Sequence, residues 1–231
     1  MMAPIALSRT RALRPMFIRT LILAAGMVCA SAGCAADNNA APKWQAGTSY
    51  QVIDSPQPTA SGHKIEVLEV FSYACPHCEH FQPYADKLKA SLPANAQFAL
   101  LPADFHEIWM TFARGFYTAK ALGLVDKTHQ AMFDAIYRDH QPMTSLDQIA
   151  DFYAAHGADK AAFLSTAQSF VIDGDLAHGH DLEIKYGIDS TPTLIVNGKY
   201  RVVADTEKKI GFDEMVEIAQ YLVVQEAAAR H

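Results

Sequence analysis

The chain has 231 residues, 50% of them hydrophobic and 10% aromatic, which is material for a packed core of one or two domains and excludes the disordered and collagen-like classes. Its formal charge is −6; the first 33 residues contribute four arginines and no acid, so the remainder stands at −10, a balance that argues against a nucleic-acid partner. No run of 18 or more apolar residues occurs, so no permanent transmembrane helix is expected.

The elements begin with a targeting segment. A basic stretch to Arg19, an apolar run over residues 21–30 and then small residues have the layout of a secretory signal rather than of a buried N-terminal helix. Ser31-Ala32-Gly33-Cys34 has the form of a lipoprotein processing box in which Cys34 becomes the lipidated first residue. Ser31 stands where leucine is usual, and cleavage after Ala32 or Ala36 competes. Residues 1–34 are read as signal and 35–46 as a flexible tether. Of the four cysteines, Cys29 lies in the signal, Cys75 and Cys78 form a pair, and Cys34 is left as an odd thiol in an oxidising compartment. Lipidation would consume it, and cleavage after Ala36 would discard it.

Residues 64–71, rich in β-branched and aromatic side chains, predict a mostly buried strand, followed at once by helical spacing and by a second strand over 97–101 that ends at Pro102. This is a β-α-β unit around the cysteine pair. Some seventy residues of helical pattern follow. Trp109, Phe112, Ala113 and Phe116 recur at helical spacing, as do His129, Met132, Phe133 and Ile136, all read as core. Ser145 with Gln148 has the pattern of a capping box, and Gly187 should stop a helix that runs from about Asp175 to Tyr186. Residues 193–196, then Asn197-Gly198, then 199–203 predict a hairpin with a type I′ turn, and an amphipathic helix over 212–225 closes the chain. The sum is α/β: a four-element sheet with helices inserted in its middle.

Cys75-Pro76-His77-Cys78 carries the chemistry, since two thiols so spaced alternate between dithiol and disulfide without a cofactor. If a helix starts at Cys75, Pro76 takes the first helical position, where its missing N–H costs nothing. Free amides and the helix dipole then stabilise a thiolate on Cys75, making it the exposed, attacking sulfur, while Cys78 falls on the buried face with Phe81, Tyr84, Ala85 and Leu88 and resolves the mixed disulfide. His77 adds positive charge or a hydrogen bond to the thiolate, or else is a solvated surface histidine. Two alternatives remain for the pair: a structural bridge, whose two-residue loop constrains little, and a metal site using Cys75, His77, Cys78 and His80, which lacks a distant second ligand pair. Glu69 interrupts the first strand six residues before Cys75. It is either a buried acid of raised pKa that shuttles the proton of Cys78, or one exposed position on an edge strand. Thr191-Pro192 invites a cis bond at the start of a strand, against an ordinary trans turn.

The segment from Val67 to Cys78, with Thr191-Pro192-Thr193 and Val196-Asn197-Gly198-Lys199-Tyr200, resembles the DsbA-type thiol:disulfide interchange proteins from about Gly47 to the C-terminal helix. The resemblance implies a thioredoxin fold (47–104 and 175–231) with an inserted all-helical domain (105–174). It implies Cys75 as nucleophile, Cys78 as resolving thiol, Glu69 as buried acid and Pro192 as a cis-proline facing the disulfide, with Thr191 offering backbone to an extended substrate. A low-pKa cysteine and strongly oxidising behaviour are known properties of that family and are implied in the same way. So are reduced exported proteins as substrates, a DsbB-type membrane quinone reductase as reoxidising partner, a periplasmic monomer, and no cofactor or metal. Relatives that carry a basic residue on the strand after the active-site helix differ here, since residues 98–101 hold none. A reductase or isomerase kept reduced by another protein, and a metal-carrying module, are the competing functions.

Overall fold

The structure is a computed structural model that describes residues 42–230. The signal, Cys29, Cys34 and most of the tether lie outside the described residues. The tether's last residues lie within them: Lys43 pairs with Glu217 and Trp44 packs beside the core, so ordered structure begins upstream of residue 47.

Strand β2 (Ile65–Phe71) is an interior strand of the sheet, and all seven of its residues are buried. Its β-branched and aromatic composition suits burial on both faces. It pairs in parallel with β3 (Ala96–Pro102) and antiparallel with β4 (Thr193–Val196), which pairs with β5 (Tyr200–Val203). A two-residue strand β1 (Gln51–Val52) adds to β5 and gives the order β1-β5-β4-β2-β3. The sheet therefore has five strands where the sequence predicts four; β1 is exposed and too short to show a period. Helix α1 (Pro76–Ser91) forms the crossover between the parallel strands.

Alternation along β2 sends its residues into different cores. Ile65 and Val67 pack with Phe81, Ala85 and Leu88 of α1 and with Met215, Ile218 and Leu222 of the closing helix α7 (Phe212–Ala228). Leu68 and Val70 face Leu101, Ile195 and Tyr186. Each fully buried Phe or Leu contributes about 1.5–3 kcal/mol. Phe71, at the strand's end, enters a third cluster that also holds Cys75 and Cys78 together with Phe112, Phe116, Phe133, Ile149 and Phe152. The cysteine pair thus lies where the sheet meets the helical layer.

That layer sits between β3 and β4: α2 (Glu107–Ala121), α3 (Val125–Phe133), α4 (Leu146–Ala155), α5 (Lys160–Ala167) and α6 (Phe170–Tyr186). The fold is a thioredoxin-like α/β sheet with a helical insert. The spacing through Ile136 predicts a single helix, but α3 ends at Phe133 and continues as a π-helical turn over Asp134–Arg138. Ser145 caps α4 by accepting from the Gln148 N–H; Gln148 Oε1 in turn accepts from the Thr144 N–H at 2.8 Å, one residue earlier than a reciprocal box requires. Gly187 ends α6 at φ 62°, and Asn197 and Gly198 turn the β4–β5 hairpin at φ 52° and 66°, as Asn-Gly predicts.

Candidate active site

Cys75 is the N-cap of α1, in an extended conformation, with Pro76 in the first turn and the N–H groups of Cys78 and Glu79 bonded back to its carbonyl. Both cysteines are free thiols. The side chain of Cys75 is not openly exposed as the sequence suggests: it keeps 5% of its surface, against 0% for Cys78. The two sulfurs differ in electrostatics rather than in access. The Cys78 thiol donating to Cys75 Sγ is the largest cause of a fall in the Cys75 pKa to about 5, burial opposes it, and the N–H groups of Cys78 and His77 at the helix start add to it. Burial first, then the neighbouring Cys75 charge, pushes the Cys78 thiol far up.

Two neighbours reach the pair from across the fold. The Thr191-Pro192 peptide is cis, and the Thr191 carbonyl oxygen lies 3.6 Å from Cys75 Sγ. Glu69 occupies the middle of β2, between Leu100 of β3 and Leu194 of β4, so the edge-strand alternative falls. Its carboxyl is fully buried, and among the described residues neither oxygen has a partner at hydrogen-bond geometry. Burial, then the charges of Asp86 and Cys75, raises its pKa to about 8. Such a group holds a proton at neutral pH and can yield it. His77 is exposed and its side chain makes no hydrogen bond among the described residues; what it gives Cys75 is a backbone N–H. His80 is exposed as well and pairs with Glu79, and the described residues hold no cluster of three or more His, Cys, Asp or Glu fit for a metal ion.

Three further residues are not assigned to the site by the sequence. His129 is half-buried against Phe71, Tyr73 and Phe133, and its Nδ1 lies 2.9 Å from the Tyr73 hydroxyl. Its only signal was a lone imidazole on an apolar helical face. Tyr137, carried by the π turn, packs against the cysteine cluster, and burial and then the charges of Cys75 and Cys78 push its phenol up. Glu183 of α6 is buried, accepts from the Asp104 N–H at 3.2 Å, and is raised by burial and Asp104 to about 7. Its partner stands 79 residues away, beyond any local pattern.

A dithiol at the head of a helix, on a mixed sheet interrupted by a helical layer, defines a thioredoxin-fold disulfide oxidoreductase. The DSBA-like thioredoxin domain family matches residues 101–222. Among curated relatives, the thiol:disulfide interchange protein DsbA of Pseudomonas aeruginosa is 39% identical over 213 residues, covering 92% of this chain and 99% of its own. That of Azotobacter vinelandii is 35% identical, covering 92% and 100%. The crystal structure of Pseudomonas aeruginosa DsbA superposes with a TM-score of 0.74 at 38% identity, over 81% of this chain and 96% of that one. The Xylella fastidiosa oxidoreductase DsbA gives 0.74 at 32%, over 80% and 98%. The chain belongs to the DsbA family of thiol:disulfide interchange proteins.

Proposed function

We propose that this protein donates its Cys75–Cys78 disulfide to reduced, newly exported proteins. A substrate thiolate attacks Cys75 Sγ, the Cys75–Cys78 bond breaks, and Cys78 leaves as a thiolate that takes the proton of Glu69. A second substrate thiolate then attacks the substrate sulfur of the mixed disulfide, forming the substrate's disulfide and expelling Cys75 as a thiolate. The observation that carries the reading is the contrast between the two sulfurs: Cys75 is a good leaving group, while Cys78 needs a proton. Pro76 and the His77 N–H shape the helix start that holds the Cys75 thiolate. Thr191 and Pro192 face the reacting sulfur, where an extended substrate segment pairs with the Thr191 backbone.

The reduced protein is reoxidised by a membrane quinone reductase of the DsbB type, and the protein works as a periplasmic monomer without cofactor or metal. No helix among the described residues is long and apolar enough to cross a membrane. Cys34, after processing, carries the lipid that would anchor it, and the mass of the mature N-terminus decides this point. The thioredoxin-like part comprises 47–104 with 175–231, and the helical insert 105–174. The boundary falls inside α6, where Ile172 packs with the helical cluster and Tyr186 with the sheet.

Equilibration with glutathione, followed by mass spectrometry of the trapped Cys75–Cys78 states, tests the direction of transfer. A potential well above that of thioredoxin, roughly −270 mV, is expected, and one as reducing as thioredoxin's sinks donation. In parallel, Cys78→Ser should accumulate a mixed disulfide at Cys75 when given a disulfide-bearing peptide, whereas Cys75→Ser should form none.

A further inference from the structure

A cleft of about 130 Å³ opens between β2, β3, α1 and α3. Glu69 and His129 both line it. Three buried side-chain atoms there have no partner at hydrogen-bond geometry among the described residues: both carboxyl oxygens of Glu69 and Nε2 of His129. Polar atoms at such depth are satisfied by ordered water where the space is polar and roomy enough, and this cleft meets both conditions. Its polar wall is completed by Gln82, Asp86 and Lys89 from α1 and by Asp126 and Gln130 from α3. The β3 residues on it, Phe98 and Leu100, bring no charge.

The His129 ring is held too firmly to swing elsewhere. Phe71, Tyr73 and Phe133 pack around it with ring centroids 5.0, 5.4 and 5.4 Å away, and Nδ1 is engaged by the Tyr73 hydroxyl. In the tautomer in which the Tyr73 hydroxyl donates to Nδ1, the neutral ring carries its proton on Nε2, the atom without a partner among the described residues. In that tautomer a fixed donor shares a polar-walled cleft with a buried acid.

We propose that His129 is a positioning residue for the disulfide exchange: through water in this cleft its Nε2–H holds the Glu69 carboxyl, and the water opens a route for the proton between Glu69 and solvent. The inference rests on the reading of Glu69 as the acid that protonates Cys78. His129 donates to the ionised carboxylate through water, so it favours that form and keeps Glu69 able to release its proton near neutral pH. Burial keeps the imidazole itself neutral, with its pKa lowered to about 4, so it acts as a donor and not as a second charge. The other groups that bear on Glu69 are Asp86 and the Cys75 thiolate, which raise its pKa, and Gln82, which lowers it by a side-chain hydrogen bond; Lys89 and Asp126 line the same cleft.

The test is the pH profile, from about pH 5 to 9, of the reaction between oxidised protein and a reduced peptide, with the Glu69 titration followed by infrared spectroscopy of its carboxyl. In His129→Leu the Glu69 midpoint should rise by about one unit and the step near neutrality slow about tenfold, with His129→Gln, which keeps an N–H donor, recovering most of the loss. In a Glu69→Gln background, His129→Leu should add nothing. A midpoint unmoved by His129→Leu, while Glu69→Gln still slows the step, overturns the role of His129 and leaves that of Glu69 standing. Glu69→Gln indistinguishable from the unaltered protein overturns both. Equal slowing by His129→Leu in both backgrounds shows a packing role and overturns the proposal. Should the leucine variant fail to fold, a high-resolution crystal structure of the unaltered protein decides: water within hydrogen-bond reach of both Nε2 and the Glu69 carboxyl is required, and a dry cleft overturns the inference.

Discussion

Glu69 is where chemistry and stability pull apart. The unfolded chain ionises this carboxyl near its ordinary value of 4.5 and the folded chain only near 8, so between those pH values folding retains a proton that the unfolded state releases. The raised pKa therefore lowers stability as pH rises through that window, at about 1.4 kcal/mol per pH unit for one group. Glu69→Gln removes the titration and keeps the shape. The variant should match the unaltered protein near pH 4 and exceed its stability by a few kcal/mol near pH 8, read from urea unfolding at a series of pH values. A constant difference across the series would mean that the carboxyl is not buried in its neutral form. The gain in stability should come with slower disulfide exchange, the trade expected where a strained group is kept for function.

At the scale of elements, the β4–β5 hairpin shows how a turn is fixed by one residue. Gly198 sits at φ 66°, and a Cβ there would collide with the backbone carbonyl of Gln57, whose N–H bonds to the Gly198 carbonyl at 3.0 Å. Gly62 has nearly the same φ, 61°, but open space around it. Gly198→Ala should cost about 1–3 kcal/mol more than Gly62→Ala, since it adds a steric clash to the same backbone strain; equal shifts of the two urea midpoints would refute the contact with Gln57. The hairpin turn was legible because Asn-Gly sets φ locally, and β2 because seven consecutive residues suit burial. The π turn was not, because a single extra residue per turn leaves the apolar spacing of His129, Met132, Phe133 and Ile136 almost unchanged. The same spacing hid the second side of the active site: it places His129 in the core correctly but says nothing about the Tyr73 hydroxyl, 56 residues away, that fixes its ring. Cys75, Cys78 and Glu69 could be picked out by residue type and position, whereas the near-burial of Cys75 depends on the Thr191 loop, which only the folded chain brings to it.

For the whole molecule, Cys75 and Glu69 act in opposite directions on the stability of the fold, and the redox state decides whether they cancel. In the dithiol form Cys75 ionises near 5, well below its ordinary 9, so the fold gains stability as pH rises above about 5 and loses it as pH falls through that value. Glu69 does the reverse between 4.5 and 8. Over pH 5–8 these two groups together bind about as many protons folded as unfolded, and the raised Glu183, near 7, is offset by the lowered His129, near 4, so the stability of the reduced protein should be nearly flat. In the disulfide form Cys75 no longer titrates, while burial, the largest cause of the Glu69 shift, persists. The oxidised protein should then lose stability steadily over the same range. Chemical unfolding of the two forms at pH 5, 6, 7 and 8 should give curves that diverge, with the reduced protein increasingly the more stable. This growing preference for the dithiol is the driving force for giving the disulfide away, because a fold that favours its reduced state makes its own disulfide easier to break. Parallel curves would show that the fold does not hold the Cys75 thiolate, and the proposed direction of transfer would lose its physical basis.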